Sequence, residues 1–213
     1  MTASVPGALI IACGALAQEI AALRRINRWE ALDIQCLPPE LHNSPKQIPG
    51  RVREAIHAAR AHYSRIFVAY ADCGTGGRLD AVLAEEGVER LPGAHCYEFF
   101  ATARRFSELA EEEPGTFYLT DFLVRHFDRL VVQTLGIDRH PELIAEYFRH
   151  YRRVVYLIQD QAQSDVNQAA SIAQRLGLEF QTLVTGYGQL EPSLRQIASA
   201  PVESPIKWAT WPR

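Results

Sequence analysis

The sequence predicts an α/β protein of one domain, built on a mostly parallel sheet of about six or seven strands with helices on both faces. Short apolar runs alternate with helically spaced segments from one end of the chain to the other, the pattern of a sheet whose strands are joined by crossover helices. Several of the runs are continuously apolar rather than alternating, as strands covered on both faces must be. No internal repeat is evident, and no linker is long enough to separate independent domains.

Each element has a local reason. Ala8-Leu9-Ile10-Ile11-Ala12 is a buried strand that stops at Cys13-Gly14, and Ala17 to Ile26 follows with Ile20, Leu23 and Ile26 on one helical face. Leu32 to Leu37 alternates as a second strand, halted by Pro38-Pro39, and Pro49 to His62 is a helix with proline in its first turn. Arg65 to Tyr70 is the clearest strand, ending at Asp72-Cys73-Gly74-Thr75-Gly76-Gly77, after which Leu79 to Glu86 is a short helix. A brief run at Val88 to Leu91 leads to Gly93-Ala94-His95-Cys96 and a helix from about Tyr97 to Glu112. Thr116 to Leu119 is a strand, Asp121 reads as the N-cap of a helix to Leu135, and Pro141 to Tyr151 is helical. Val154 to Ile158 is a strand, Asp165 to Leu176 a helix closed by Gly177, Phe180 to Val184 the last strand and Glu191 to Ala200 the last helix. The domain thus spans 7–200, and 201–213 form a Pro- and Trp-containing tail whose Trp208 and Trp211 suit packing on the body or on a second subunit of a homo-oligomer.

Composition excludes several function classes. The 213 residues carry 22 basic and 25 acidic side chains, a net charge of -3 with no long single-sign run. A nucleic-acid binder ordinarily shows a basic face and an isoelectric point above about 9, whereas the value here is about 6.2. No stretch approaches the roughly 20 apolar residues of a membrane span. Met1-Thr2-Ala3-Ser4-Val5-Pro6 lacks a basic signal-peptide head. Four cysteines in such a chain suit reduced thiols in the cytoplasm.

Ligand sites of open parallel sheets lie beyond the carboxyl ends of the strands. Residues placed there are Cys13 and Gly14, Cys36, Asp72 and Cys73 with Gly74, Gly76 and Gly77, His95 and Cys96, Thr120 and Asp121, Gln159 and Asp160, and Thr185, Gly186 and Tyr187. All four cysteines fall at ends of the same polarity. Cys13, Cys73 and Cys96 each neighbour glycine or histidine, and three thiolates, or two and an imidazole, suffice for zinc or iron. Cys36 is the weakest of the four, flanked by Leu37 and Pro38. A buried cysteine is otherwise a small hydrophobe, and that reading stands beside the ligand one. The loop from Cys73 to Arg78 invites an anion, with Gly74, Gly76 and Gly77 offering backbone N–H groups and Arg78 a clamp, although a tight strand-to-helix turn accounts for the same glycines. Gly14, Asp121, Asp160 and Tyr187 complete the candidates for binding a small-molecule substrate or cofactor. Asp138-Arg139-His140-Pro141-Glu142 reads as a well-built helix start, His140 being a ligand only in the sharper reading; His42, His57 and His62 read as loop and surface residues.

The segments Ile11-Ala-Cys-Gly-Ala-Leu16, Tyr70-Ala-Asp-Cys-Gly74, Gly93-Ala-His-Cys96 and Gly115-Thr-Phe-Tyr-Leu-Thr120 together resemble an uncharacterised bacterial and archaeal domain family, over about residues 7 to 190. In that family the third block often reads His-Asp-Cys, whereas here His95 directly precedes Cys96. The resemblance implies a context: genes beside corrinoid-dependent methyltransferases that act on methylamines or betaines, with corrinoid-binding and pterin-linked partners. In that context Cys13, Cys73 and Cys96 would hold zinc, which keeps a thiol deprotonated and nucleophilic, with His95 as acid/base or fourth ligand. Two rivals are a non-catalytic module that delivers a metal or cofactor to a methyltransferase, and a metal-free hydrolase or lyase with Cys73 as nucleophile and His95 as base.

Overall fold

The structure, a computed structural model, describes residues 7–199; the tail at 201–213 lies outside them. In chain order the strands and helices are β1 (Ala8–Cys13), α1 (Ala17–Ile26), β2 (Leu32–Leu37), α2 (Ile48–Ala59), β3 (Ile66–Ala69), α3 (Arg78–Glu86), β4 (Glu89–Arg90), α4 (Tyr97–Ala101), α5 (Ala103–Glu112), β5 (Thr116–Thr120), α6 (Asp121–Phe127), α7 (Leu143–Tyr147), β6 (Arg153–Ile158), α8 (Val166–Leu176), β7 (Glu179–Val184) and α9 (Leu190–Ser199). The class is the one the sequence predicts: α/β, with every strand pairing parallel. The seven strands divide into a four-stranded sheet, β2-β1-β3-β4, and a three-stranded sheet, β5-β6-β7. Among the described residues the chain accordingly forms two compact units, 7–96 with 189–199, and 97–188. Sequence pattern reveals a strand but not its neighbour. With β4 only two residues long, little edge remains for a fifth strand to pair with.

In the first unit β1 is buried along its whole length and pairs with β2 on one side and β3 on the other. Ile20 and Leu23 of α1, Val52 and Ile56 of α2, Leu79 and Leu83 of α3, and Leu194 and Ile197 of α9 are all buried. Ile26, placed on the apolar face of α1 by its spacing, is 63% exposed. It is the last helical residue, where the chain leaves for Asn27. The order β2-β1-β3 means that the chain turns one way after β1 and the other way into β3. Such a reversal opens a crevice at the carboxyl ends of the two strands.

In the second unit Leu119, Val154, Tyr156, Ile172 and Ala173 build the core, with Phe117 meeting Phe127, Phe148 and Tyr151 edge to face. Two expected helices are interrupted. Tyr97 to Glu112 breaks at Thr102, whose φ of 66° ends α4 and whose hydroxyl accepts the Arg105 N–H to start α5. The helix after β5 passes at Asp128 into a π-turn as far as Gln133. Thr120, not Asp121, caps that helix, accepting the Leu123 N–H at 3.2 Å. Asp165 and Gly177 bound α8 as read, one accepting from Gln168 N–H and the other left-handed at C′.

Asp121 and Asp160 have structural partners. The buried Asp121 carboxylate accepts the Tyr156 hydroxyl at 2.6 Å and the N–H groups of Gln159 and Asp160 at 3.1 and 2.8 Å. Asp160 accepts from Ala162 N–H and the Gln163 amide, folding the following turn. Removing a buried acceptor leaves each of its donors unsatisfied, at about 1–3 kcal/mol apiece. Asp121→Ala should therefore lower unfolding free energy by at least about 3 kcal/mol, and Asp121→Asn by less; urea denaturation followed by circular dichroism measures both.

Candidate metal centre

Three loops of the first unit meet at the crevice where β1 and β3 end. Cys13 closes β1, fully buried, and its sulfur accepts the Ala15 N–H at 3.4 Å as the cap of the short helical turn Gly14–Leu16. After β2, Pro38-Pro39 forces a 3₁₀ turn, Pro39–Asn43, pinned by the buried Leu41. One residue further on, the exposed His42 brings its Nδ1 to 3.5 Å from the Cys13 sulfur. Gly14 makes that approach possible. A Cβ there would lie 2.8 Å from the Leu37 carbonyl oxygen and 2.8 Å from Pro39 Cδ, so only glycine lets the two loops close.

Beyond β3 and β4 the chains stay paired without forming regular strand. Asp72 N–H donates to the Gly93 carbonyl at 3.1 Å and Cys73 N–H to the Ala94 carbonyl at 2.9 Å. Arg90, bidentate to Asp80, also donates to the Leu91 and Gly93 carbonyls. This continuation carries Cys96 to Cys73, sulfur to sulfur 3.4 Å apart. Cys73 itself has φ of 48°, a left-handed backbone that a non-glycine residue holds only where its surroundings enforce it, and that strain is commonest at functional sites.

Ligand atoms of His42, Cys73 and Cys96 lie within 4.8 Å of one another, the one group of three or more such side chains that converges among the described residues. Cys13 joins this group through His42 rather than as a fourth member. The electrostatics follow from crowding. Hydrogen bonding to Cys96 and burial push the Cys73 thiol far above its ordinary value, outweighing the pull of His42. Burial works against a charged His42, but hydrogen bonds with Cys13 and Cys73 and the charge of those sulfurs raise the imidazole to about 10. Two thiols and an imidazole thus compete for the protons between them, and a divalent cation placed among them would displace those protons.

Residue by residue, the sequence reading is partly redrawn. Cys73 and Cys96 converge as predicted. His42, read there as a surface histidine, is the imidazole of the group, whereas His95 is exposed and outside it. A turn set by two prolines and a buried leucine places His42, and only its nearness to Cys36-Leu37 and the strand end hinted at that. Cys36 pairs with Ala12 in the sheet and is exposed. The glycine loop is a turn rather than a free anion cradle: the Asp72 carboxylate takes the Gly76 and Gly77 N–H groups at 3.1 and 2.9 Å and the Thr75 hydroxyl at 2.6 Å. Burial disfavours the Asp72 charge, yet these donors and Arg90 hold its carboxyl below the usual range. Gly74, Gly76 and Gly77 all have positive φ, and Arg78 is exposed as the first residue of α3. Tyr187 is half-buried beyond β7 in the second unit, and His140 is exposed beside Glu142.

Residues 36–194 match the model of a family described as Protein of unknown function (DUF1638). The chain belongs to that family. The DUF1638 match runs from Cys36 through both units and includes His42, Cys73 and Cys96. No curated protein and no solved structure matches the chain. No helix among the described residues is long and apolar enough to cross a membrane.

Gly14→Ala provides a test of the geometry that leaves every candidate ligand in place. Its Cβ must displace the loop carrying His42, so zinc affinity, measured by competition with a chromophoric chelator, should fall by at least tenfold, about 1.4 kcal/mol. Unchanged affinity would show that the approach of the two loops does not matter to the group.

Proposed function

We propose that this DUF1638 protein holds a zinc ion on His42, Cys73 and Cys96 and uses it in thiol chemistry linked to corrinoid-dependent one-carbon metabolism. The convergence of two sulfurs and one imidazole within 4.8 Å at the carboxyl edge of a parallel sheet carries the reading. Sulfur with imidazole is the donor set that zinc prefers, and three protein ligands leave one position for an exogenous group. Iron shares part of that preference. Cys13 would act through its contact with the His42 ring, the kind of outer contact that orients a metal-bound imidazole. Bound zinc supplies Lewis acidity that keeps a coordinated thiol deprotonated near neutral pH.

The reaction class comes from the family resemblance: methyl transfer between a corrinoid, carried by a partner protein or methyltransferase, and the sulfur of a small molecule. This chain's own residues bind and orient the acceptor, and the buried sulfurs and Tyr70 keep water away from it. The metal-free alternative, Cys73 as nucleophile with His95 as base, is disfavoured. Activation of a free thiol requires a lowered pKa, and the Cys73 thiol is raised. Delivery of metal to a methyltransferase is favoured by one observation, the exposure of His42 on a surface turn, from which an ion can be exchanged.

Elemental analysis of protein purified anaerobically, without chelator or histidine tag, should find close to one zinc per chain. That metal should be lost in Cys73→Ala, Cys96→Ala and His42→Ala and retained in His95→Ala. A metal-free parent, or a His42→Ala protein as fully loaded as the parent, overturns the assignment. Loaded protein that consumes methylated corrinoid only with an added thiol is an enzyme; loaded protein without turnover that passes zinc to a methyltransferase is the delivery module.

Affinity should also depend on pH. A thiol whose pKa is raised remains protonated throughout the neutral range, so zinc must displace its proton and binding must strengthen as pH rises. Apparent affinity should increase by up to about tenfold per pH unit for each proton released, measured by the same chelator competition between pH 6 and 8.

A further inference from the structure

Cys73 and Cys96 are free thiols in contact, 3.4 Å sulfur to sulfur, and the metal reading uses them only as separate ligands. A disulfide holds its sulfurs about 2.0 Å apart, so closing this pair takes an approach of roughly 1.4 Å. Neither cysteine is held in a strand or helix. Cys73 opens the turn at 73–74, and Cys96 lies in the turn that follows the bend at 93–95 and leads into α4. A small shift of either side chain therefore breaks no ladder or helical hydrogen bond. The backbone bonds from Asp72 to Gly93 and from Cys73 to Ala94 meanwhile keep the two turns opposed. The two sulfurs differ in access: Cys73 is only 7% exposed, whereas Cys96 is partly open beside the exposed Ala94 and His95. The other cysteines do not compete, since Cys13 is buried against His42 and Cys36 is exposed on β2.

From this geometry we infer that Cys73 and Cys96 are a reversible dithiol–disulfide pair, oxidised by small-molecule disulfides, and that closing the pair empties the metal group. Cys96, the accessible sulfur, attacks one sulfur of the reagent. A bond forms between them, the reagent's own S–S bond breaks, and the departing thiolate takes the proton that Cys96 gives up. Cys73 then attacks the Cys96 sulfur from contact distance, where proximity supplies what enclosure denies it. The second half of the reagent leaves with the proton of Cys73. Two protein thiols are thereby oxidised to one disulfide, and one reagent disulfide is reduced to two thiols. The consequence for metal rests on the zinc centre proposed above. Only a thiolate is a metal ligand, so the closed pair leaves His42 alone of the three. The disulfide and the ion therefore exclude each other: an oxidising disulfide releases the metal, and an added thiol lets it return.

The test treats the full chain with oxidised glutathione under anaerobic conditions, quenches with acid and maps the peptides by mass spectrometry. Metal-free parent should lose two of its four thiols and yield one linked pair, Cys73 with Cys96; dithiothreitol should restore both. Cys73→Ser should stop at a glutathione adduct on Cys96, and Cys96→Ser should leave Cys73 unmodified. A different linkage, no linkage, or an adduct that persists on Cys96 of the parent overturns the pair. The map of the parent decides this even where a variant fails to fold. With free zinc at about ten times its dissociation constant, the loaded parent should react about tenfold more slowly, and oxidised parent should take up no zinc until reduced. Linked protein that still holds zinc overturns the exclusion of metal by disulfide. A parent that forms the link but binds no zinc defeats the metal centre and leaves the dithiol pair standing, whereas a parent that binds zinc and forms no link does the reverse.

Discussion

Everything at the crevice depends on the pairing that β3 and β4 continue after they cease to be strands. Two backbone hydrogen bonds, Asp72 to Gly93 and Cys73 to Ala94, hold the chain after β3 against the chain after β4. They bring Cys96 to 3.4 Å from Cys73 although 23 residues separate the two in sequence. Arg90 secures the same stretch from the side through Asp80 and the two carbonyls it meets. Without this extension each cysteine would be an isolated thiol at the end of its own strand. The strain at Cys73 belongs to the same arrangement: left-handed φ at a side-chain-bearing residue turns the chain sharply into the Asp72-capped glycine loop, and the capping hydrogen bonds offset its cost.

The second half of the group arrives from the opposite side of β1. Here the controlling fact is steric rather than hydrogen-bonded. Gly14 has no side chain, so the Leu37-Pro38-Pro39 backbone can pass close over the end of β1. Proline then fixes the turn that places His42 one position after its buried anchor Leu41. Both arrangements meet at the point where the sheet order reverses, between β1 and β3. That location follows from topology alone: strands on either side of the reversal send their connections apart and leave the gap uncovered.

Much of this was legible in the sequence, for identifiable reasons. Apolar runs such as Ile10-Ile11 and Val154-Val155-Tyr156 announce buried parallel strands whatever their partners, and the placement of cysteines at strand ends survives any permutation of strand order. Legibility failed where long-range geometry decides. Nothing local in Thr102 announces a helix break, since a β-branched residue rarely takes the positive φ it has here. Around His42 only its nearness to the end of β2 separates a histidine that faces a thiol from one that faces water. His95 looked the better ligand because it adjoins Cys96 in the chain. Yet His95 and Cys96 lie in the bend and turn that lead into α4, where His95 is exposed, and the ring that reaches the sulfurs comes from 54 positions before Cys96, on another loop. The glycine loop misled in the opposite sense. Its composition suits an anion cradle, but Asp72, four positions before Gly76 and five before Gly77, already supplies the anion.

That substitution bears on what the crevice is for. Where a loop's own carboxylate consumes its N–H groups, the loop has no dipoles left for a phosphate, and its rigidity serves the residue it encloses, Cys73. The polar resources that remain at the carboxyl edge of this sheet are sulfurs, one imidazole and one phenol. Without an ion they compensate one another only in part: the imidazole and the sulfurs of Cys13 and Cys73 favour each other's charge, while Cys96 and burial push the Cys73 thiol up. A purely structural cysteine cluster has no need of an imidazole held at 3.5 Å by a glycine-dependent loop. On the proposed reading the same atoms become mutually consistent, because a divalent cation would take the place of the thiol protons between them.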